Sequence, residues 1–387
     1  MSSSPTHWSA ASAALAADQP AAALPVIRIG DLVPVLPGRD VWDMWPIGYA
    51  DGRTACIDGR SWWFFLDAPQ CDDPDDRHDL ARIRLTSLGA DGWRDHGDAF
   101  PDGFSPGSRE WSGSAVLAAD DRTLTLYFTA SGRREGGPRF EQRLFEAQGV
   151  FAEGRLSDWT TPVESVFADG RDYVVANEAE APAHGIKGFR DPGYFRDPAD
   201  DREYLLFVGS AGWTDARIDG VIGVARRDDG AWHLQRPLVE AIEVNSELER
   251  PHIIVRDGLY YLFWSTQAKR FAPGLGAPTG LYGMVANSMA GPWRPLNGSG
   301  LVAGNPPAEP FQAYCWWVTG ELDVISFADF WGLDGRAPDT AAIRRAHFGG
   351  TVAPWFRLAL AGETATIVSV SSDHAGPCPA AASTTSR

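Results

Sequence analysis

Short apolar runs, rich in aromatic and β-branched residues, alternate along this chain with clusters of Gly, Pro, Asp and Asn. Strand-like runs occupy residues 62–66, 81–85, 123–129, 204–208, 221–225, 260–265 and 323–327, each bounded by turn-forming residues. Apolar positions at helical spacing are absent from most of this span, so the pattern predicts an all-β fold. Residues 1–40 read as an N-terminal arm, Ser- and Ala-rich at first, with a short helix over 10–18 and an apolar run at 26–29. Residues 41–370 carry the strand pattern and form the predicted main domain. Residues 371–387 are rich in Ala, Ser and Pro and read as a flexible tail, which Cys378 could tie down.

Composition sharpens this picture. The 41 glycines and 28 prolines among 387 residues favour many turns over long helices. With 51 acidic against 34 basic residues, the formal charge of -17 opposes binding to nucleic acid. No run of about 20 apolar residues could span a bilayer, so no membrane partner is expected. The start of the chain lacks a basic segment followed by a clean apolar run. An extracellular or periplasmic location would therefore require export by a route other than a conventional signal peptide, and a cytoplasmic location stays open. Four cysteines are too few and too scattered for a disulfide framework or a paired Cys-x-x-Cys zinc site. Cys56 and Cys71 are placed for one local bridge, with isolated buried thiols as the other reading.

Five polar or aromatic clusters stand out: Trp42 with Asp43, Trp111 with Ser112, Arg190 with Asp191, Glu247 to Arg250, and Tyr314. Successive separations of 68, 79, 58 and 65 residues each leave room for about four strands and their turns. A β-propeller would direct one inner strand from each sheet toward a common axis and so gather all five clusters. A β-sandwich fits the composition too, but brings them together less readily.

The chemistry of these clusters points to sugars. Asp43 lies between Trp42 and Trp45, where indoles desolvate a carboxylate and offer flat faces to sugar rings; a turn aspartate is the plainer reading. Trp111 offers a second platform and Ser112 a hydrogen bond to a carboxylate, unless the pair is a core tryptophan followed by a bulge. Arg190 and Asp191 are adjacent, so on a regular strand they face opposite sides. Glu247 and Glu249 can share a face just before Pro251 stops regular pairing, with Arg250 to orient one of them. Two carboxyl groups in different environments suffice for glycosidic chemistry, one as nucleophile and one as proton donor. No Gly-rich dinucleotide fingerprint is present and the histidines are dispersed, so neither cofactor nor metal is expected.

The motifs VWDMWP, EWSGSA, FRDP, SELER, LYYLFWST, GPWRPLNGSGLV and FQAY, in this order, resemble glycoside hydrolase family 68, the levansucrases, inulosucrases and bacterial β-fructofuranosidases. The resemblance runs from about residue 26 to 360. It implies a five-bladed β-propeller with a funnel-shaped central active-site pocket, and a retaining enzyme that cleaves sucrose, releases glucose and passes the β-fructosyl group to water, sucrose or a growing β-2,6-fructan. The alternative is a mainly hydrolytic β-fructofuranosidase that makes glucose, fructose and short oligosaccharides. By the same resemblance Asp43 is the nucleophile, Glu249 the general acid/base and Asp191 the transition-state-stabilising aspartate. Trp42, Trp111 and Ser112 support the fructosyl pocket, with Ser112 orienting Asp43. Arg190, Glu247 and Arg250 bind sugar or orient charge, and Tyr314 bonds near the acid/base. The Arg-Asp-Pro triplet recurs at Arg196, Asp197 and Pro198, so the choice of Asp191 rests on the surrounding pattern.

Two departures from the family pattern bear on function. Gln267 stands where levansucrases resemble one another in carrying Arg or His near the glucosyl and acceptor subsites, and Gln supplies no positive charge. Arg270 either reaches the pocket in compensation or is a solvated loop residue. Ser246 stands where calcium-binding relatives carry Asp, which removes an anionic oxygen from any calcium shell.

Overall fold

Each strand-like run of the sequence falls on a strand of the computed structural model, which describes residues 4–177, 185–371 and 378. The strands are Arg60–Pro69, Arg82–Gly89, Thr123–Ser131, Glu203–Ser210, Gly220–Asp228, Leu259–Thr266 and Asp323–Phe330. In Arg60–Pro69 the run of Trp62, Trp63, Phe64, Phe65 and Leu66 is buried throughout, as expected of a strand covered on both faces. A second set of five strands carries the sequence clusters: β1 (Arg39–Tyr49), β2 (Arg109–Leu117), β3 (Phe189–Arg196), β4 (Glu249–Arg256) and β5 (Ala313–Val318).

Among the described residues hydrogen bonding joins the strands into four sheets, three of five strands and one of ten. This corrects the expected five-bladed β-propeller. The last residues of β1, Ile47 to Tyr49, pair in parallel with Ala115 to Leu117 of β2, while the earlier part of β1 pairs antiparallel with Arg60–Pro69. That parallel seam fuses into one ten-stranded sheet what five separate blades would keep apart. Strand spacing along the sequence counts strands but does not reveal such a partner, because the pairing is set by tertiary contact.

The first residues cross the molecule and tie to distant strands. Thr6 and His7 pair in parallel with Val239 and Glu240. Trp8 is fully buried against Trp264, Phe271 and Tyr282, and its Nε1 donates to the Ser299 carbonyl at 2.9 Å. The helix read over 10–18 is an α-helix over Ala10–Ala14 followed by a 3-10 turn over Leu15–Asp18, with Ser9 as N-cap. The predicted flexible tail lies outside the described residues apart from Ser371 and Cys378. Cys378 forms a disulfide with Cys56 across 322 residues, so the local Cys56–Cys71 reading is corrected. Cys71 and Cys315 are free thiols.

A candidate active site of three carboxylates

The five site-bearing strands share one irregularity. Each shifts register at its cluster: between Trp42 and Trp45 in β1, Trp111 and Gly113 in β2, Arg190 and Gly193 in β3, Glu249 and His252 in β4, and Tyr314 and Trp317 in β5. Four of these bulges hold a non-glycine residue at positive φ: Asp43 (47°), Asp191 (61°), Arg250 (54°) and Cys315 (54°). Left-handed backbone is unfavourable for such residues and persists where surrounding packing enforces it. Its effect is to re-aim side chains that a regular strand would send to alternate faces. Gly113 serves the β2 bulge because a Cβ there would stand 1.9 Å from the Tyr127 carbonyl oxygen.

These bulges open on a cavity of about 770 Å³. Its walls include Asp43, Asp191 and Glu249 together with Trp42, Trp111, Ser112, Arg190, Glu247, Gln267, Arg270 and Tyr314. Eleven of the twelve candidate residues thus meet in one place. Arg250 is not on the wall. It is buried, donates from Nη2 to the Met44 carbonyl at 2.8 Å, and lies over the rings of Trp45 and Trp317.

Ser112 Oγ donates to Asp191 Oδ1 at 2.6 Å; the expectation that it orients Asp43 is corrected. Asp191 also accepts from the Arg250 amide at 3.3 Å. Burial pushes its carboxyl up to about 6, with Arg190 and the Ser112 bond opposing the rise and Glu249 and Asp43 adding to it. Burial likewise raises Asp43, countered by the charge of Arg250, a hydrogen bond from the Cys315 thiol and the charge of Arg77. Arg190 Nη2 lies 2.6 Å from Glu249 Oε1 and 3.5 Å from Glu247 Oε2. Tyr314 donates its hydroxyl to the other oxygen of Glu249. Burial raises the Glu247 carboxyl, against the pull of Arg190 and Arg270. Arg270 pairs with Glu247 Oε2 at 2.9 Å.

Sequence reasoning missed several wall residues. The 3-10 turn Pro74–Asp79 contributes Asp75, Arg77 and His78. Arg77 lies over the Trp42 ring, His78 meets Trp42 edge-on, and the His78 carbonyl accepts from Trp111 Nε1 at 3.3 Å. Cys315 and Asp329 are among the others. Among the described residues no group of three or more His, Cys, Asp or Glu could hold a metal ion, and no helix is long and apolar enough to cross a membrane.

Buried carboxyls on separate strands, some beside guanidinium groups, with indole platforms around them, define a cavity suited to chemistry on a polyhydroxylated substrate. The sequence profile of the levansucrase/invertase family, glycoside hydrolase family 68, matches residues 1–219 and 208–376, and the chain belongs to that family. It is 34% identical over 368 residues to levansucrase Lscbeta of Pseudomonas syringae pv. actinidiae, covering 84% of this chain and 81% of that protein. It is 32% identical over 402 residues to the levansucrase of Zymomonas mobilis subsp. mobilis, covering 95% and 91%. Among solved structures, the inulosucrase from Halalkalicoccus jeotgali bound to kestose superposes with a TM-score of 0.84 at 34% identity, covering 95% and 96%.

Proposed function

We propose that the protein is a retaining, sucrose-cleaving fructosyltransferase that releases glucose and passes a β-fructosyl group to water, to sucrose or to a growing fructan. Family membership supports this reaction, as do the levansucrase relatives. The observation that carries the assignment of residues is that Asp43, Asp191 and Glu249, on three different strands, line one cavity.

In this reading Asp43 attacks the anomeric carbon of the fructosyl unit while Glu249 gives a proton to the linking oxygen, and glucose leaves. Glu249 then takes a proton from water or from a sugar hydroxyl, which attacks the covalent β-fructosyl intermediate and restores Asp43. Asp191, fixed by Ser112 and the Arg250 amide, hydrogen-bonds fructosyl hydroxyls and offsets positive charge that develops on the ring. Tyr314 and Arg190 hold Glu249 from its two oxygens. Retention requires the Asp43 and Glu249 carboxyls to stand about 5–5.5 Å apart across the bond. Trp42 and Trp111 supply the platforms for the sugar faces.

β-2,6 linkage is the expected product, with short oligosaccharides favoured over long polymer because Gln267 lacks the charge the family pattern carries there. The Cys56–Cys378 disulfide supports an oxidising, extracytoplasmic location. The test is a time course of glucose, free fructose, oligosaccharide and polymer from sucrose, with linkage analysis, run beside the Asp43→Ala variant. That variant should fold and release no glucose above a trace; normal turnover by it would refute the nucleophile.

A further inference from the structure

The cavity has a charged wall that the three carboxylates do not account for. Asp75 and Arg77 come from the 3-10 turn Pro74–Asp79, Lys269 from the turn Ala268–Arg270, and Asp329 from the end of strand Asp323–Phe330. The backbone of Asp329 is fixed, its amide donating to the Gln312 carbonyl at 2.9 Å. Its side chain is different. Oδ1 is closed off from solvent and has no hydrogen-bond partner, and no ion pair joins the carboxyl to any described residue. The guanidinium of Arg77 makes no ion pair with it: Nη1 donates to the Pro74 carbonyl at 2.7 Å and pairs with Asp75 at 3.4 Å, and the group lies over the rings of Phe348 and Trp42.

A carboxyl oxygen held out of water without a donor is unfavourable and calls for an explanation in a native fold. Burial pushes Asp329 up to about 7; Arg77 and Lys269 oppose the rise, while Asp75 and Asp43 add to it. Its surroundings place it on the cavity wall: Arg77 lies over the rings of Trp42 and Phe348, and Phe348 meets Phe330, the residue after Asp329. Asp75 and Lys269 are exposed, whereas Asp43 lies among the buried indoles of β1. Asp329 lines the cavity with both sets, and through Phe330, Phe348 and Arg77 it adjoins the turn that carries the exposed Asp75, the side on which the sugar beyond the fructosyl unit enters.

We propose that Asp329 is a sugar-binding residue of the acceptor side, whose carboxyl hydrogen-bonds a hydroxyl of the sugar that receives the fructosyl group and so favours transfer over hydrolysis. This rests on the fructosyltransferase reading above. A carboxylate accepts from a sugar hydroxyl, and a protonated carboxyl can also donate to one, so either form supplies a bond that water attacking the intermediate does not need.

The test compares the wild type with Asp329→Ala and Asp329→Asn at saturating sucrose, with total glucose reporting cleavage and free fructose reporting hydrolysis. Loss of one hydrogen bond to the acceptor should lower the transfer-to-hydrolysis ratio of Asp329→Ala by roughly three- to tenfold. Asp329→Asn, whose amide still bonds a hydroxyl, should fall less. A purely structural role would lower glucose release and thermal stability together and leave the ratio where it was. An unchanged ratio in both variants, with the wild type cleaving sucrose, overturns the proposal. Should Asp329→Ala fail to fold, the ratio of Asp329→Asn decides alone: a fall supports the proposal and an unchanged ratio overturns it. A wild type that releases no glucose would instead overturn the reaction on which it rests.

Discussion

Ser112 and Asp191 meet through a 2.6 Å hydrogen bond that joins β2 to β3 across 79 residues. The bond ends on the carboxylate that holds the sugar in the proposed reaction, not on the attacking one. Asp43 takes its support from the Cys315 thiol and from the charges of Arg250 and Arg77. The two aspartates share Glu249 and Arg250 as neighbours, but the Ser112 bond acts on Asp191 and the Cys315 bond on Asp43, so these two bonds can be perturbed separately.

Ser112→Ala tests that separation. The serine bond holds the Asp191 carboxyl down, so its removal should raise the carboxyl further. Asp191 would then ionise at higher pH, and the acid limb of the pH profile for glucose release should move upward. The expected loss at pH 6 is roughly tenfold, shrinking as pH rises. A loss independent of pH would mean that Ser112 acts on geometry alone.

Asp191→Asn should trade activity for stability. The native site holds Asp191 at about 6, above its ordinary 3.8. The neutral form is thus the one the fold favours. Its contribution is fully present below about pH 3.8 and is lost as pH rises through 6, so at pH 7 the ionised side chain costs the fold roughly 2–3 kcal/mol. An uncharged isostere avoids that cost, and Arg190 keeps Glu247 and Glu249 as partners. Thermal melts should show Asp191→Asn gaining a few degrees over wild type at pH 7 and little at pH 4, with sucrose cleavage reduced at least a hundredfold. Destabilisation at pH 7 would show that the Asp191 carboxylate strengthens the fold rather than straining it.

The contrast between what was readable and what was not follows from range. Runs such as Trp62 to Leu66 or Tyr260 to Ser265 announce strands because aromatic residues between turns fit a buried pleat. The parallel seam of Ile47–Tyr49 with Ala115–Leu117 has no local signature, and it is what replaced five blades by four sheets. At the site, tryptophans beside acidic residues were legible as sugar chemistry. The left-handed backbone at Asp43, Asp191, Arg250 and Cys315 was not, because no glycine marks it. Arg77 and His78 sit in the run Pro74–Asp79, whose composition reads as a solvated turn, and Asp329 is embedded in an ordinary strand motif. Only folding turns these toward the cavity. Arg250 lies behind the wall that its neighbours line, and acts from there through its amide on Asp191 and its charge on Asp43.

The Cys56–Cys378 disulfide closes a loop across a sequence separation of 322 residues. In chain-entropy terms a closure of this length is worth on the order of 5 kcal/mol. Neither cysteine lines the cavity. Cys378→Ser, or the wild type in excess reductant, should melt several degrees lower and still cleave sucrose at 25 °C at close to the normal rate. An equal melting temperature with and without reductant would show that the bridge does not bear on the fold.

Gln267→Arg asks whether a charge at the cavity wall sets the fate of the fructosyl intermediate. Gln267 opens the turn Ala268–Arg270 and lines the cavity. Close by, Glu247 pairs through Oε2 with both Arg190 and Arg270, while its Oε1 is buried without a hydrogen-bond partner. A guanidinium introduced at 267 has an anionic group to meet and further N–H donors left for an acceptor sugar. Because Arg270 already brings one positive charge to Glu247, the gain should be moderate, roughly two- to fivefold in the transfer-to-hydrolysis ratio, with longer products on size-exclusion analysis. The effect should fade in high salt only slightly, since the pair is shielded from solvent. If the ratio does not move, the charge that governs acceptor capture is already supplied by Arg270, and Arg270→Gln should then lower the ratio in its place.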